Sequence, residues 1–108
     1  MKTAGLHTAF AASVRELIEE LGACGAGPDG GVTRLLYTEP WAEAQRLIER
    51  RMTEAGLDAR YDAVGNLYGR LNGRKADAAV VLTGSHVDTV RSGGKYDGAY
   101  GKIGRAHV

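Results

Sequence analysis

The sequence is poor in cysteine and in uninterrupted apolar runs, and its charges nearly cancel. Among 108 residues there is one cysteine, Cys24, which excludes an intrachain disulfide and is typical of a protein in the reducing cytoplasm. No apolar run is long enough for a secretion signal or a membrane span. The formal net charge of +1 provides no basic surface of the kind that nucleic-acid binding requires. These absences predict a cytoplasmic protein with neither a membrane nor a nucleic acid as its partner.

Two stretches have the periodicity of amphipathic helices. Residues 8–21 carry apolar side chains at helical spacing and are followed by Gly22, a natural helix stop. Thr38 is suited to cap a second helix, because Pro40 then falls in the first turn, where its missing N–H costs little. Gly56 is predicted to end that helix.

The period then changes to that of strands. Residues 57–64 have the β-branched and aromatic content of a strand, and residues 67–71 would be the returning strand. The Gly-Asn pair between them predicts a two-residue hairpin turn. Residues 78–83 form a continuous apolar run, which is typical of a strand buried on both faces. The order of elements predicts an α/β fold with two helices followed by three strands.

The residues that carry chemistry follow the last predicted strand. Glycine-rich residues 83–101 contain His86, Asp88 and Asp97 at the place where ligand sites in α/β proteins gather. An imidazole and a carboxylate are suitable ligands for zinc and similar ions. Asp88 is close enough in sequence to accept the second ring N–H of His86. A carboxylate at Asp97 can bridge two ions and help hold a water molecule between them, which would be the nucleophile.

Spacing alone also allows simpler interpretations of these residues. His86 can be a hydrogen-bonded structural residue at a strand end, Asp97 with the following glycine can form a turn, and Asp88 can cap a helix. The glycines suggest a phosphate-binding loop, but neither of the usual glycine-rich nucleotide patterns is present. The spacing therefore disfavours nucleotide binding and leaves metal binding and structural roles open.

The motif itself resembles that of a known family. Gly-Ser-His-Val-Asp-Thr-Val at residues 84–90 and Gly-Gly-Lys-Tyr-Asp-Gly at residues 93–98 are similar to the metal-site signature of the hydantoinase/carbamoylase amidases. This family includes N-carbamoyl-L-amino-acid hydrolases, allantoate amidohydrolases and β-ureidopropionases. Gly-Val-Thr-Arg-Leu at residues 31–35 and Gly-Asn-Leu-Tyr-Gly-Arg at residues 65–70 are similar to further landmarks of the family. The resemblance covers residues 14–101.

The resemblance implies the N-terminal part of a mixed-sheet catalytic domain that holds two divalent metal ions, either zinc or manganese or cobalt. His86 would be a ligand of one ion, Asp97 would bridge both, and Asp88 would orient His86. The implied reaction is hydrolysis of C–N bonds in small ureido or amide substrates, such as N-carbamoyl amino acids or allantoate. The full-length protein is expected to be a homodimer.

Two alternatives accompany this interpretation. The short gap between His86 and Asp97 favours the amidases over the related zinc-dependent peptidases and deacylases, in which a longer loop precedes the bridging aspartate. A peptidase or deacylase of the same superfamily is the first alternative. A non-catalytic small α/β binding domain is the second, and it would be favoured if His86 pointed away from Asp97.

The end of the chain departs from the family pattern. The family's general base and its remaining ligands, a Glu-Glu pair and two histidines, do not follow Asp97, so residues 1–102 are interpreted as the truncated N-terminal part of a catalytic domain, inactive alone. Residues 103–108 resemble the translation of a common sequencing adapter and are interpreted as a non-native tail, so His107 is not a candidate ligand. Truncation would also leave apolar surface exposed, which predicts poor solubility.

Overall fold

Helix α1 extends further in both directions than the sequence predicts. The computed structural model describes residues 2–99, apart from the side chains of residues 2–4, 6 and 7. Helix α1 spans Lys2–Ala23, so the predicted stop at Gly22 is wrong. A glycine in the last turn costs only about 1 kcal/mol relative to alanine. Its missing side chain also leaves room for Lys95, which lies against it.

Helix α2, Glu39–Glu54, begins and ends where the sequence predicts. Thr38 occupies the N-cap position with extended backbone, and Pro40 lies in the first turn. The Thr38 hydroxyl does not cap the helix, because it donates to the Leu35 carbonyl at 2.5 Å. Gly56 follows the last turn with a φ of +82°, a left-handed conformation that glycine adopts without steric cost.

The predicted hairpin is confirmed, but its turn is longer than predicted. Strands β1, Asp58–Tyr61, and β2, Leu67–Arg70, pair antiparallel. The connection has five residues, 62–66, rather than the Gly-Asn pair alone. The Asp62 carboxylate accepts hydrogen bonds from the Val64 amide at 3.1 Å and the Asn66 amide at 2.8 Å, and these bonds stabilise the longer loop.

The third predicted strand, residues 78–83, is not a strand in this structure. Its apolar side chains are exposed rather than buried, at 71% for Val80, 93% for Val81 and 77% for Leu82. A strand needs a hydrogen-bonded neighbour, and the sheet of the described residues contains only β1 and β2. The sheet of the described residues is antiparallel. The α/β class itself is confirmed, because the described residues form two helices and a β-hairpin, and helix α2 packs against the hairpin.

The hydrophobic core lies between the two helices and the loop that carries the candidate site. Its buried side chains are Leu21, Cys24, Ala44, Ile48, Val87 and Ala99. Val87 directly follows His86 in sequence, and Ala99 lies two positions after Asp97. The core therefore anchors both ends of the loop that contains the predicted metal ligands.

Two sequence-based predictions concern membrane spans and the C-terminal tail. Within residues 2–99, no helix is long and apolar enough to cross a membrane. The predicted non-native tail, residues 103–108, lies outside the described residues, and so does His107.

Candidate metal centre

The loop that contains His86 is fixed by the segment of residues 32–34. Val32 and Gly93 exchange two backbone hydrogen bonds of 2.9 and 2.8 Å. The Thr89 amide donates to the Arg34 carbonyl at 2.9 Å. Residues 86–90 have no regular secondary structure of their own. Their conformation therefore depends on this neighbouring segment, which is more than fifty residues away in sequence.

Thr89 makes a second set of buried contacts with the same segment. Its side-chain oxygen accepts the Arg34 amide N–H at 2.8 Å and donates either to the Val32 carbonyl at 2.9 Å or to the Val90 carbonyl at 2.8 Å. Thr89 is 6% exposed, so water has little access to these groups. The hydroxyl oxygen thus provides the hydrogen-bond acceptor for the buried backbone N–H of Arg34.

Arg34 adds a buried positive charge to this arrangement. The residue is 1% exposed, and its guanidinium donates to the carbonyls of Val87 at 2.7 Å, Leu21 at 2.5 Å and Cys24 at 2.9 Å. Burial lowers the pKa of Arg34 from its ordinary value. Arginine is nevertheless charged throughout the ordinary pH range, so the three carbonyls stabilise a cation.

His86 is held in one orientation by Asp88. Its Nδ1 lies 2.9 Å from the Asp88 backbone carbonyl and 3.3 Å from the Asp88 carboxylate oxygen Oδ1. Both neighbours are acceptors, so they favour a proton on Nδ1 and leave a lone pair on Nε2. Nε2 is the atom that faces Asp97, with 3.7 Å between it and Oδ1.

A tight turn brings Asp97 to His86. The Asp97 amide donates to the Gly94 carbonyl at 3.3 Å, and Gly98 has a φ of +72°. Ser85 closes the turn from the other side, because its hydroxyl donates to the Gly98 carbonyl at 2.9 Å. The left-handed conformation of Gly98 places its backbone against His86, where a side chain would not fit.

His86 and Asp88 line a large open cavity. The side chains of His86, Asp88 and Asp97 are 52%, 44% and 65% exposed, which allows a ligand to approach them. The cavity has a volume of about 780 Å³, and His86 and Asp88 line one part of its wall. Tyr37 and Trp41 line another part and contact each other edge to face.

The two facing side chains fit a divalent metal ion. Zinc binds histidine nitrogen and carboxylate oxygen at about 2.0–2.2 Å, so two ligands of one ion lie no more than about 4.4 Å apart. The 3.7 Å between His86 Nε2 and Asp97 Oδ1 is within that limit. Within residues 2–99, no group of three or more His, Cys, Asp or Glu side chains could hold a metal ion. The described residues therefore offer a pair of donors and not a complete coordination sphere.

The structure brings together all three predicted site residues, His86, Asp88 and Asp97. Metal binding by His86 and Asp97, and the orienting role of Asp88 at a metal site, stay predictions. Two further residues, Arg34 and Thr89, fix the site although their residue types do not point to metal chemistry. The sequence signal for Arg34 was that it is the one charged residue between Gly30 and Leu36. An arginine in an otherwise uncharged stretch is a candidate for burial with hydrogen-bond partners.

Thr89 provides a direct test of how the loop is fixed. Thr89→Val keeps the shape of the side chain but removes the hydroxyl. The buried backbone N–H of Arg34 then loses its hydrogen-bond acceptor. We expect the free energy of unfolding, measured by urea denaturation, to fall by about 1–3 kcal/mol. Thr89→Ser keeps the hydroxyl and should lose about 1 kcal/mol or less, the value of one buried methyl group. Equal losses in the two variants would contradict the assigned hydrogen bonds.

Comparison with known proteins identifies relatives for most of the chain. No family model matches it. The chain is 54% identical over 91 residues to the allantoate amidohydrolase of Bacillus subtilis, and this match covers 84% of the chain and 22% of that protein. It is 49% identical over 96 residues to the allantoate amidohydrolase of Escherichia coli, covering 89% of the chain and 23% of that protein. It is also 40% identical to the ureidoglycolate hydrolase of Arabidopsis thaliana over 87% of the chain and 20% of that protein.

Solved structures agree with the sequence matches. A hydantoinase/carbamoylase family amidase from Burkholderia ambifaria superimposes with a TM-score of 0.81 at 40% identity, over 85% of this chain and 23% of that one. A family amidase from Burkholderia multivorans also gives a TM-score of 0.81, at 42% identity, over 86% of this chain and 23% of that one. The chain thus spans less than a quarter of the length of these relatives. By sequence and by fold, it is a homologue of the hydantoinase/carbamoylase family amidases.

Proposed function

We propose that this chain contributes part of the metal site of an amidohydrolase that cleaves a C–N bond in a small ureido or amide substrate. One observation carries the proposal. His86 Nε2 faces Asp97 Oδ1 at 3.7 Å, while Asp88 engages the opposite ring nitrogen of His86. The non-catalytic alternative would be favoured by a His86 that points away from Asp97, which is the opposite of this arrangement.

In this proposal His86 and Asp97 hold divalent metal ions, either zinc, manganese or cobalt. His86 would bind one ion through Nε2, and Asp88 would keep the proton on Nδ1 so that the Nε2 lone pair is available. Asp97 has two carboxylate oxygens, so it can bind the ion beside His86 and share a second one. The ions, when bound, would supply an acidified water molecule and polarise the substrate carbonyl.

The substrate class is inferred from the relatives' names. These include allantoate amidohydrolase, N-carbamoyl-L-amino acid amidohydrolase and ureidoglycolate hydrolase. One structural neighbour, AtUAH, has a crystal structure in complex with glyoxylate. The named substrates share a ureido group, and we propose a ureido compound as the substrate here. The resemblance further implies a cytoplasmic homodimer, which forms part of the same proposal.

A chimeric enzyme tests this function. The 91-residue stretch of the Bacillus subtilis allantoate amidohydrolase that matches this chain is replaced by the corresponding residues of this chain. We expect the chimera to hydrolyse allantoate and to lose activity on removal of metal by a chelator. His86→Ala and Asp97→Ala should each lower kcat/KM by about a thousand-fold or more, which corresponds to roughly 4 kcal/mol.

Asp77 provides the matched control, since it is an exposed aspartate outside the loop of the candidate site. Asp77→Ala should leave kcat/KM of the chimera unchanged. Full activity in a chimera that carries either His86→Ala or Asp97→Ala would contradict the proposal. Hydrolysis of ureido substrates by the 108-residue chain alone would also contradict it, because the described residues offer only a pair of metal donors.

A further inference from the structure

The guanidinium of Arg34 contacts the candidate site through the backbone. Its Nε donates to the carbonyl of Val87 at 2.7 Å. Val87 lies between His86 and Asp88, so this hydrogen bond holds the peptide that joins the predicted metal ligand to the residue that orients it. Val87 is itself 6% exposed, which excludes water as a ready substitute for the arginine.

The other end of the guanidinium is fixed by helix α1. Nη1 donates to the carbonyls of Leu21 at 2.5 Å and Cys24 at 2.9 Å, at the C-terminal end of the helix. Carbonyls at this end of a helix carry a partial negative charge and stabilise a cation. The helix terminus therefore balances the buried charge of Arg34 and provides a fixed point against which the loop is held.

The backbone of Arg34 holds the same loop at a second point. Its carbonyl accepts the Thr89 amide at 2.9 Å, and its amide donates to the Thr89 hydroxyl at 2.8 Å. Residue 34 thus binds positions on both sides of Asp88. The Asp88 carbonyl, which lies 2.9 Å from His86 Nδ1, belongs to the same peptide group as the Thr89 amide that Arg34 holds.

We propose that Arg34 is a positioning residue for the candidate metal centre. By holding Val87 against the C-terminal end of α1, Arg34 fixes the position of the Asp88 carbonyl. That carbonyl in turn fixes the orientation of the His86 ring. The ring in turn keeps Nε2 towards Asp97. This inference rests on the proposed function, because it assigns Arg34 a role only in relation to the metal-binding pair.

The experiment uses Zn²⁺ alone as the probe and the 108-residue chain as the protein. The nitrogen and proton NMR signals of the His86 ring report which nitrogen carries the proton in the metal-free chain, and they follow Zn²⁺ binding during a titration. We expect the Nδ1–H form in the unchanged chain, with a saturable response to Zn²⁺. Arg34→Met should give a mixture of the two ring forms and an affinity for Zn²⁺ that is lower by about 10-fold or more.

Two further variants separate positioning from general stability. Arg34→Lys keeps a cation that can reach some of the three carbonyls, so its Zn²⁺ affinity should lie between those of the unchanged chain and Arg34→Met. Arg34→Lys also tests the positioning role if Arg34→Met does not fold. Ile18→Ala removes a buried side chain of α1 that is 5% exposed and does not belong to the core cluster around Val87. It should lower the stability but leave the ring form and the Zn²⁺ affinity of the folded chain unchanged.

The outcomes distinguish this inference from the proposed function. A chain that does not respond to Zn²⁺, yet changes its His86 ring form in Arg34→Met, would support the positioning role and contradict the metal-binding proposal. A normal Zn²⁺ response with the same affinity and ring form in Arg34→Met would overturn the role of Arg34. Equal losses of affinity in Ile18→Ala and Arg34→Met would overturn it too, because general destabilisation would then explain both.

Discussion

Replacing Gly98 by alanine is expected to destabilise the chain by about 2–5 kcal/mol and to abolish its response to Zn²⁺. A left-handed backbone costs a residue other than glycine about 1–2 kcal/mol, and Gly98 has a φ of +72°. In addition, an alanine Cβ would lie 3.0 Å from both Cε1 and Nδ1 of His86 and closer still to the His86 carbonyl oxygen. Overpacking of this kind costs about 1–3 kcal/mol.

The response to Zn²⁺ should be lost because the Cβ of an alanine at position 98 would clash with His86, which is itself a predicted metal ligand. An alanine at position 98 would have to push the His86 ring or the turn at Asp97 away, so the distance between Nε2 and Oδ1 would change. Urea denaturation measures the stability, and the NMR signals of the His86 ring measure the response to Zn²⁺.

Gly94 is the matched control on the other side of Asp97. A Cβ added there meets no atom within 4 Å. We expect Gly94→Ala to change the free energy of unfolding by no more than about 0.5 kcal/mol, as is usual for surface substitutions, and to leave Zn²⁺ binding intact. Similar effects of the two alanine variants would contradict the close contact between Gly98 and His86.

Val81→Lys should have opposite consequences in two contexts. In the 108-residue chain Val81 is 93% exposed, so a lysine there should be neutral for stability within about 0.5 kcal/mol and should reduce aggregation. In the chimeric enzyme we expect the same substitution to prevent soluble folding. The apolar run of residues 78–83 is typical of a strand buried on both faces, and the chimera supplies additional chain that can pair with it.

The size of the effect follows from the cost of burying a charge. An unpaired lysine in an apolar interior costs several kcal/mol, which is comparable with the whole stability of a domain. Val81→Ile, which stays apolar, should be tolerated in both contexts. The yield of soluble protein and its thermal unfolding measure the outcome. A well-folded, active Val81→Lys chimera would mean that residues 78–83 remain exposed in the longer protein as well.

Much of this protein is determined by local sequence pattern. Helix α2 and the hairpin were predictable because apolar spacing, a helix-ending glycine and a turn signal between two short segments act over a few residues. The residue types of the candidate site, His86, Asp88 and Asp97, were also evident, because their chemistry and their motif can be seen directly in the sequence. The family resemblance depended on the same local stretches.

The tertiary structure decided the features that depend on long-range contacts, which no local sequence pattern encodes. The burial of Arg34 depends on carbonyls that include one 53 residues away, so its neighbours in sequence could suggest burial but not its partners. Residues 78–83 have the composition of a buried strand, but a strand forms only beside a hydrogen-bonded neighbour, and the described residues provide none. The sequence by itself thus determined which residues could bind a metal ion. Only the fold decided that His86 faces Asp97, because that geometry arises from long-range contacts at Arg34 and Thr89 and from the left-handed turn at Gly98.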